Sequence, residues 1–165
     1  MLPSCFSYRR CVAVLCLVAS ASLGFALLMQ YGFDFRPCAL CLYQRVPFAL
    51  MIALCGGATL MRLSEKGSRR VVALCVVLFA VGAAIAGYQA GVEQFWWKGP
   101  DGCTGTGIVH IDTNAMPDLF MTTPPVRCDE IVWSLFGLSM AAWNMLFSAG
   151  MAALLTGVLV RRRAS

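Results

Sequence analysis

Four long apolar stretches set the pattern of the chain, and polar segments of very unequal length separate them. The first runs from Cys11 to about Met29, the second from about Val46 to Met61, the third from Val71 to about Ala90, and the fourth from about Ile131 to Val160. A helix needs about 20 apolar residues to cross the hydrocarbon of a bilayer, with a range of roughly 17–25. The pattern therefore predicts spans over about 11–30, 44–62, 71–90 and 132–160, with loops over about 31–43 and 91–131. The second run is slightly short, so its helix is extended back towards Cys41. The fourth is long, and its first turns are expected in the interface or in a tilted segment. The predicted fold class is an all-α membrane protein, a bundle of four transmembrane helices with a long loop between the third and the fourth.

Composition supports a lipid environment. Apolar residues make up 59% of the 165 and charged residues only 13%, too few to cover a soluble surface. The net charge of +5 does not point to nucleic acid, because the basic residues sit at the ends of the apolar runs. Arg9–Arg10 and Ala19–Ser20–Ala21 imitate a cleaved secretory signal, but the first run continues to Met29, beyond a typical signal core, and is read as an uncleaved anchor. With the N-terminus inside, Arg9, Arg10, Arg62, Lys66, Arg69, Arg70, Arg161, Arg162 and Arg163 are cytoplasmic. Arg36, Arg45, Lys98 and Arg127 then lie outside, which accounts for all 13 basic residues. Nine against four places both termini in the cytoplasm.

That orientation sorts the nine cysteines. Cys38, Cys41, Cys103 and Cys128 face the outer compartment, where disulfides persist. Cys5 is cytoplasmic, and Cys11, Cys16, Cys55 and Cys75 fall within spans, where a thiol behaves as a small apolar residue. Cys38 and Cys41 form a CxxC just ahead of the second run. A bond within it closes too small a ring to add much stability, so redox chemistry explains it better than stapling. Half of a zinc site is the alternative; with His110 the only histidine, it would need mostly thiolates, and no metal is expected. Arg45 follows Cys41 by one helical turn, and Pro37 holds Arg36 extended. A helix N-terminus and a guanidinium would both favour a thiolate at Cys41. Pro47 suits a first helical turn or a kink.

The short basic segment Arg62 to Arg70 reads as a hairpin. Gly87 and Gly91 form a GxxxG, read as close helix packing. In the long loop, Phe95, Trp96 and Trp97 look like an interfacial anchor, and Met116 to Met121 like a short segment lying flat on the membrane. A bond between Cys103 and Cys128 would close about 26 residues, worth roughly 3–4 kcal/mol in the chain-entropy account, so a structural staple stands beside a redox role.

Pro-Cys-x-Leu-Cys-x-Tyr-x-Arg, from Pro37 to Arg45, resembles the first periplasmic motif of the DsbB family, bacterial inner-membrane disulfide oxidases that use quinone. Cys128, Glu130, Trp133, Gly137, Leu138, Met140 and Trp143 fall at the spacing of that family's stretch entering its last helix, so the resemblance covers nearly the whole chain. It implies redox-active disulfides Cys38–Cys41 and Cys103–Cys128. It also implies a DsbA-like periplasmic thiol oxidase as partner, attached transiently through Cys103. Cys128 would then pass electrons to Cys38, and Cys41 to ubiquinone or menaquinone beside the second helix. Arg45 would hold the quinone. Where the family often has His, near the outer end of the third span, this chain has Gln89, which can hydrogen-bond a quinone oxygen but supplies no proton at neutral pH. Either Gln89 only positions the ring, or protons come through water.

Three other readings compete. The chain could be a DsbB-like paralogue serving a dedicated partner. It could be an inward electron conduit, which needs a cysteine pair able to face both sides; Cys16, Cys55 and Cys75 read as isolated. It could be a non-enzymatic four-helix protein with stapled loops, which leaves Arg45 and the CxxC unexplained.

Overall fold

The computed structural model describes residues 7–100, 127–131 and 133–164. Its elements in chain order are α1 (Tyr8–Gly32), α2 (Ala39–Leu60), α3 (Glu65–Glu93), a two-stranded ribbon of β1 (Ser134–Leu135) and β2 (Leu138–Ser139), and α4 (Met140–Ala164). All four helices are long and apolar enough to cross a membrane. Side chains such as Leu17, Leu54, Val77 and Leu154 point outward and exposed. An all-round apolar helix with an exposed greasy face fits lipid as its solvent.

The first three helix starts are fixed by side-chain caps. Ser7 Oγ accepts from Arg9 N, and Ser64 Oγ from Gly67 N. Cys38 Sγ takes the same part for α2, accepting from Cys41 N at 3.4 Å. The helix thus begins at Ala39, earlier than the apolar run implied, and the loop before it is correspondingly shorter. Pro47 lies well inside α2, beyond the first turn. The basic segment is mostly helix as well, since α3 starts at Glu65.

The fourth helix starts at Met140, later than the apolar run from about 132 suggested. Ser134 pairs with Ser139, and Leu135 with Leu138, in an antiparallel ribbon. Its two turn residues, Phe136 and Gly137, have φ of 53° and 78°, the left-handed pair that a tight hairpin requires. Ser139 Oγ accepts from Ala142 N at 3.2 Å to cap α4, and Trp143 Nε1 donates to Leu135 O at 3.1 Å, binding ribbon to helix.

Helix α3 packs between α4 and α2, and α1 packs on α2. The main core holds Val12, Leu15, Met51, Cys55, Val72, Cys75, Phe79 and Leu155. Phe79 meets Phe48 and Phe147 edge to face, each with ring centroids 6.2 Å apart. The GxxxG divides its labour. A Cβ on Gly87 would stand 3.1 Å from Met145 of α4, as close helix packing predicts. A Cβ on Gly91 would lie 2.0 Å from the Trp97 ring, so Gly91 seats a loop residue instead. Trp97 also stacks on Tyr88 and donates to Tyr88 O.

Tyr8, Leu63, Glu65 and Arg162 meet at one end of the bundle. Arg9 Nε donates to Leu63 O at 2.7 Å, Tyr8 N donates to Glu65 Oε2 at 3.1 Å, Ser7 Oγ donates to Glu65 Oε1, and Arg162 covers the Tyr8 ring. Cys38, Cys41 and Cys128 lie at the opposite end, where α2 begins and α3 ends.

Candidate functional site

The CxxC straddles a helix start: Cys38 is the cap and Cys41 sits in the first turn. This geometry turns both sulfurs to one side, and they stand 3.2 Å apart as free thiols, with Cys38 donating to Cys41. That hydrogen bond, reinforced by burial, pushes the Cys38 thiol above its ordinary range.

Cys128 is disulfide-bonded, its partner lying outside the described residues. It is buried in the same small cluster as Cys38, Leu40 and Val92, with Cys41 packed against it. The neighbouring Arg127 grips Asp129 with two bonds, of 3.0 and 2.7 Å, which hold the Asp129 carboxyl below the usual carboxylate range. Cys103, His110 and the Met116 to Met121 segment lie outside the described residues.

Beside Cys41, the buried Gln44 and Gln89 join the half-buried Asn144 in a series of hydrogen-bonded amides. Ser148 Oγ donates to Asn144 Oδ1 at 3.3 Å. Asn144 Nδ2 donates to Gln44 Oε1 at 2.6 Å, and Gln44 Nε2 to Gln89 Oε1 at 2.6 Å. Gln89 Nε2 ends the series, 3.4 Å from Cys41 Sγ and 3.1 Å from Glu93 Oε1. Every donor in the series points towards the thiol and the carboxylate, so the network presents positive dipole ends to whichever carries negative charge.

Cys41, Gln44, Gln89, Glu93 and Asn144 also line a cavity of about 530 Å³ among the four helices. Its walls include Phe25, Met29, Phe48, Trp143 and Phe147, while Cys41, Gln44, Arg45, Gln89 and Glu93 supply polar groups. Arg45 shares a helix face with Cys41, as its i+4 position predicts, and its Nη1 donates to Gln30 Oε1 of α1 at 2.5 Å. The structure thus brings Cys38, Cys41, Arg45 and Gln89 to one cavity, with Cys128 beside the cysteines.

Sequence reasoning missed Gln44, Asn144 and Glu93. Gln44 and Asn144 are a hundred positions apart, and no local pattern announces their contact. Glu93 did carry a signal, lying one turn after Gln89 on the same face of α3. The isolation of Cys55 and Cys75 is corrected too. Their sulfurs are 3.5 Å apart, both fully buried, across the α2–α3 contact.

Comparison with known proteins agrees with this architecture. A family model described as "Disulfide bond formation protein DsbB" matches residues 8–158. A protein named Disulfide bond formation protein B from Hahella chejuensis is 31% identical, over 93% of this chain and 95% of its own length. Proteins of the same name from Xylella fastidiosa strain Temecula1 and Xanthomonas axonopodis pv. citri are each 30% identical. They cover 89% and 98% of this chain, and 88% and 97% of their own lengths.

Proposed function

The chain belongs to the DsbB family of disulfide bond formation proteins, and we propose that it reoxidises a DsbA-like periplasmic thiol oxidase and passes the electrons to a membrane quinone. One observation carries this reading: Cys38 and Cys41 stand together where the buried cysteine cluster meets the apolar cavity. A thiol exchange partner and a lipid-soluble acceptor can meet at that pair.

The residues fit a quinone. The cavity is of the size that binds small molecules, mostly apolar, with a few converging polar groups. Arg45 and Gln89 offer donors to a carbonyl oxygen. Bound there, the quinone supplies a two-electron, two-proton acceptor; ubiquinone and menaquinone both suit these walls.

The proposed route uses four cysteines. A partner thiolate attacks Cys103 in a Cys103–Cys128 disulfide, and Cys128 leaves as thiolate. Cys128 attacks Cys38 in a Cys38–Cys41 disulfide, and Cys41 leaves. The partner's second thiol then displaces Cys103, which attacks Cys128, so that the partner departs oxidised and Cys38 is released. Cys38 and Cys41 are left as the dithiol, the form observed here. The direction of transfer suits these environments, because a good leaving thiol is one whose anion is stabilised. Cys41 lies in the first turn of a helix and receives the Gln89 N–H. Arg45 holds charge at the cavity, and the apolar walls exclude water.

In this reading the cysteine end of the bundle faces the periplasm, and both termini and the Arg62 to Arg70 segment face the cytoplasm, in the bacterial inner membrane. The purified protein, given reduced DsbA-like oxidase and a soluble ubiquinone or menaquinone analogue, should reduce one quinone per partner disulfide formed. Cys41→Ser should abolish this. Partner oxidation that stops after one equivalent, with quinone unchanged, would refute the reading.

A further inference from the structure

The amide series ends on a carboxyl group that the route above leaves unused. Glu93 is 7% exposed, and it is the last residue of α3, at the negative end of the helix dipole. Its Oε1 takes the Gln89 bond. Its Oε2 is buried without any hydrogen-bond partner, the sole such side-chain atom among the described residues. A buried polar atom with no partner is destabilising, and an ionisable group at membrane depth points to function, proton relays among the known roles. Glu93 lines the same cavity as Cys41, and one nitrogen, Gln89 Nε2, bonds both.

We propose that Glu93 is the proton-transfer residue of the quinone step, taking the thiol proton from Cys41 and delivering it to the nearer quinone oxygen through its free Oε2. The proposal rests on the quinone reading above. It supplies what Gln89 cannot, because an amide holds no exchangeable charge. In the overall step two electrons and two protons leave the Cys38 and Cys41 thiols for the quinone, and one S–S bond forms. Glu93 carries one proton and returns to its starting charge. The Cys38 proton leaves to water at the polar rim formed by Arg36, Arg127 and Glu130, and water returns one there to the far oxygen.

A merely structural Glu93 would be replaced by Gln without loss, since Gln keeps the shape and the Oε1 acceptor. The test therefore compares wild type, Glu93→Gln and Glu93→Asp in quinone reduction and in time-resolved infrared spectra of the purified, quinone-loaded protein. General acid–base groups contribute about 10²–10⁴-fold, so Glu93→Gln should slow oxidation of the Cys38–Cys41 dithiol by about 100-fold or more, with Glu93→Asp restoring part of the rate. During cysteine oxidation wild type should show a carboxyl C=O band that rises and decays as Glu93 takes and releases the proton, and that is missing in Glu93→Gln. A Glu93→Gln rate within about twofold of wild type, or a wild-type spectrum without that band, overturns the proposal while the quinone reading stands. A wild type that reduces no quinone overturns the reading itself.

Discussion

Arg45→Met separates quinone binding from thiol exchange. The side chain sits one turn after Cys41 on the cavity face, and its guanidinium holds Gln30 of α1 at 2.5 Å. Met keeps the apolar stem and its packing but removes the charge, the link to α1 and the donor offered to a quinone oxygen. A hydrogen bond involving a charged group contributes about 1.5–3 kcal/mol. At about 1.4 kcal/mol per factor of ten, apparent quinone affinity should fall roughly 10- to 150-fold. Arg45→Lys should recover only part, because an ammonium cannot span Gln30 and a quinone oxygen as a planar fork does. Reduction of the loop disulfide by the partner, followed separately on non-reducing gels, should proceed as in wild type. Quinone titrations of purified variants measure the first effect. The competing account has Arg45 merely reaching the lipid headgroups. Under that account Arg45→Lys would titrate like wild type, and Arg45→Met would lower protein level without changing quinone affinity; that pattern would remove Arg45 from the site.

Cys128→Ala should accumulate a mixed disulfide between Cys103 and the partner, visible on non-reducing gels; an adduct through Cys38 instead would reverse the proposed order of exchange. Replacing Cys5, Cys11, Cys16, Cys55 and Cys75 together by Ala should leave disulfide formation in cells intact, with a stability loss of about 1 kcal/mol for each small cavity at Cys55 and Cys75. Lost activity at normal protein level would place a redox residue among them. The Cys38 thiol is raised above its ordinary value, so its neutral, unreactive form persists to higher pH. Iodoacetamide should therefore modify Cys38 of the reduced protein slowly until well above the usual thiol value of about 8.5, and rapid labelling near neutrality would contradict the hydrogen bond seen here. Reporter fusions at Gly67 and Asp112 should report cytoplasm and periplasm respectively; periplasmic activity at Gly67 would invert the orientation.

The number and order of the helices were legible because each apolar run is long enough to demand lipid. Helix starts were less legible. Ser64 caps α3 inside a segment read as a hairpin, ahead of the apolar run from Val71, and a cysteine is not among the usual N-cap residues, so Cys38 concealed the start of α2. At the fourth helix, hydropathy could not distinguish helix from ribbon in Ile131 to Ser139, since both are apolar; Gly137, at positive φ, was the local sign of a turn. That Cys38, Cys41, Arg45 and Gln89 share one cavity, with Cys128 beside the cysteines, was expected from spacing and family resemblance. The amide series was not, because Gln44, Gln89 and Asn144 meet only after three helices pack, and hydrogen bonds across helices leave no periodicity in the sequence.

The ribbon between Cys128 and α4 also acts as a short leash. Its anchor, the bond from Trp143 to Leu135, lies only a few residues downstream of the sulfur. Six residues from Cys128 to Ser134 span at most about 20 Å even when extended. Within the proposed route, Cys128 thus meets Cys38 at the effective concentration of a short intramolecular tether, in the millimolar range, rather than at the dilution of a second molecule in the bilayer. The exchange becomes independent of how much protein the membrane holds. It becomes dependent instead on the length of a segment that carries none of the redox chemistry.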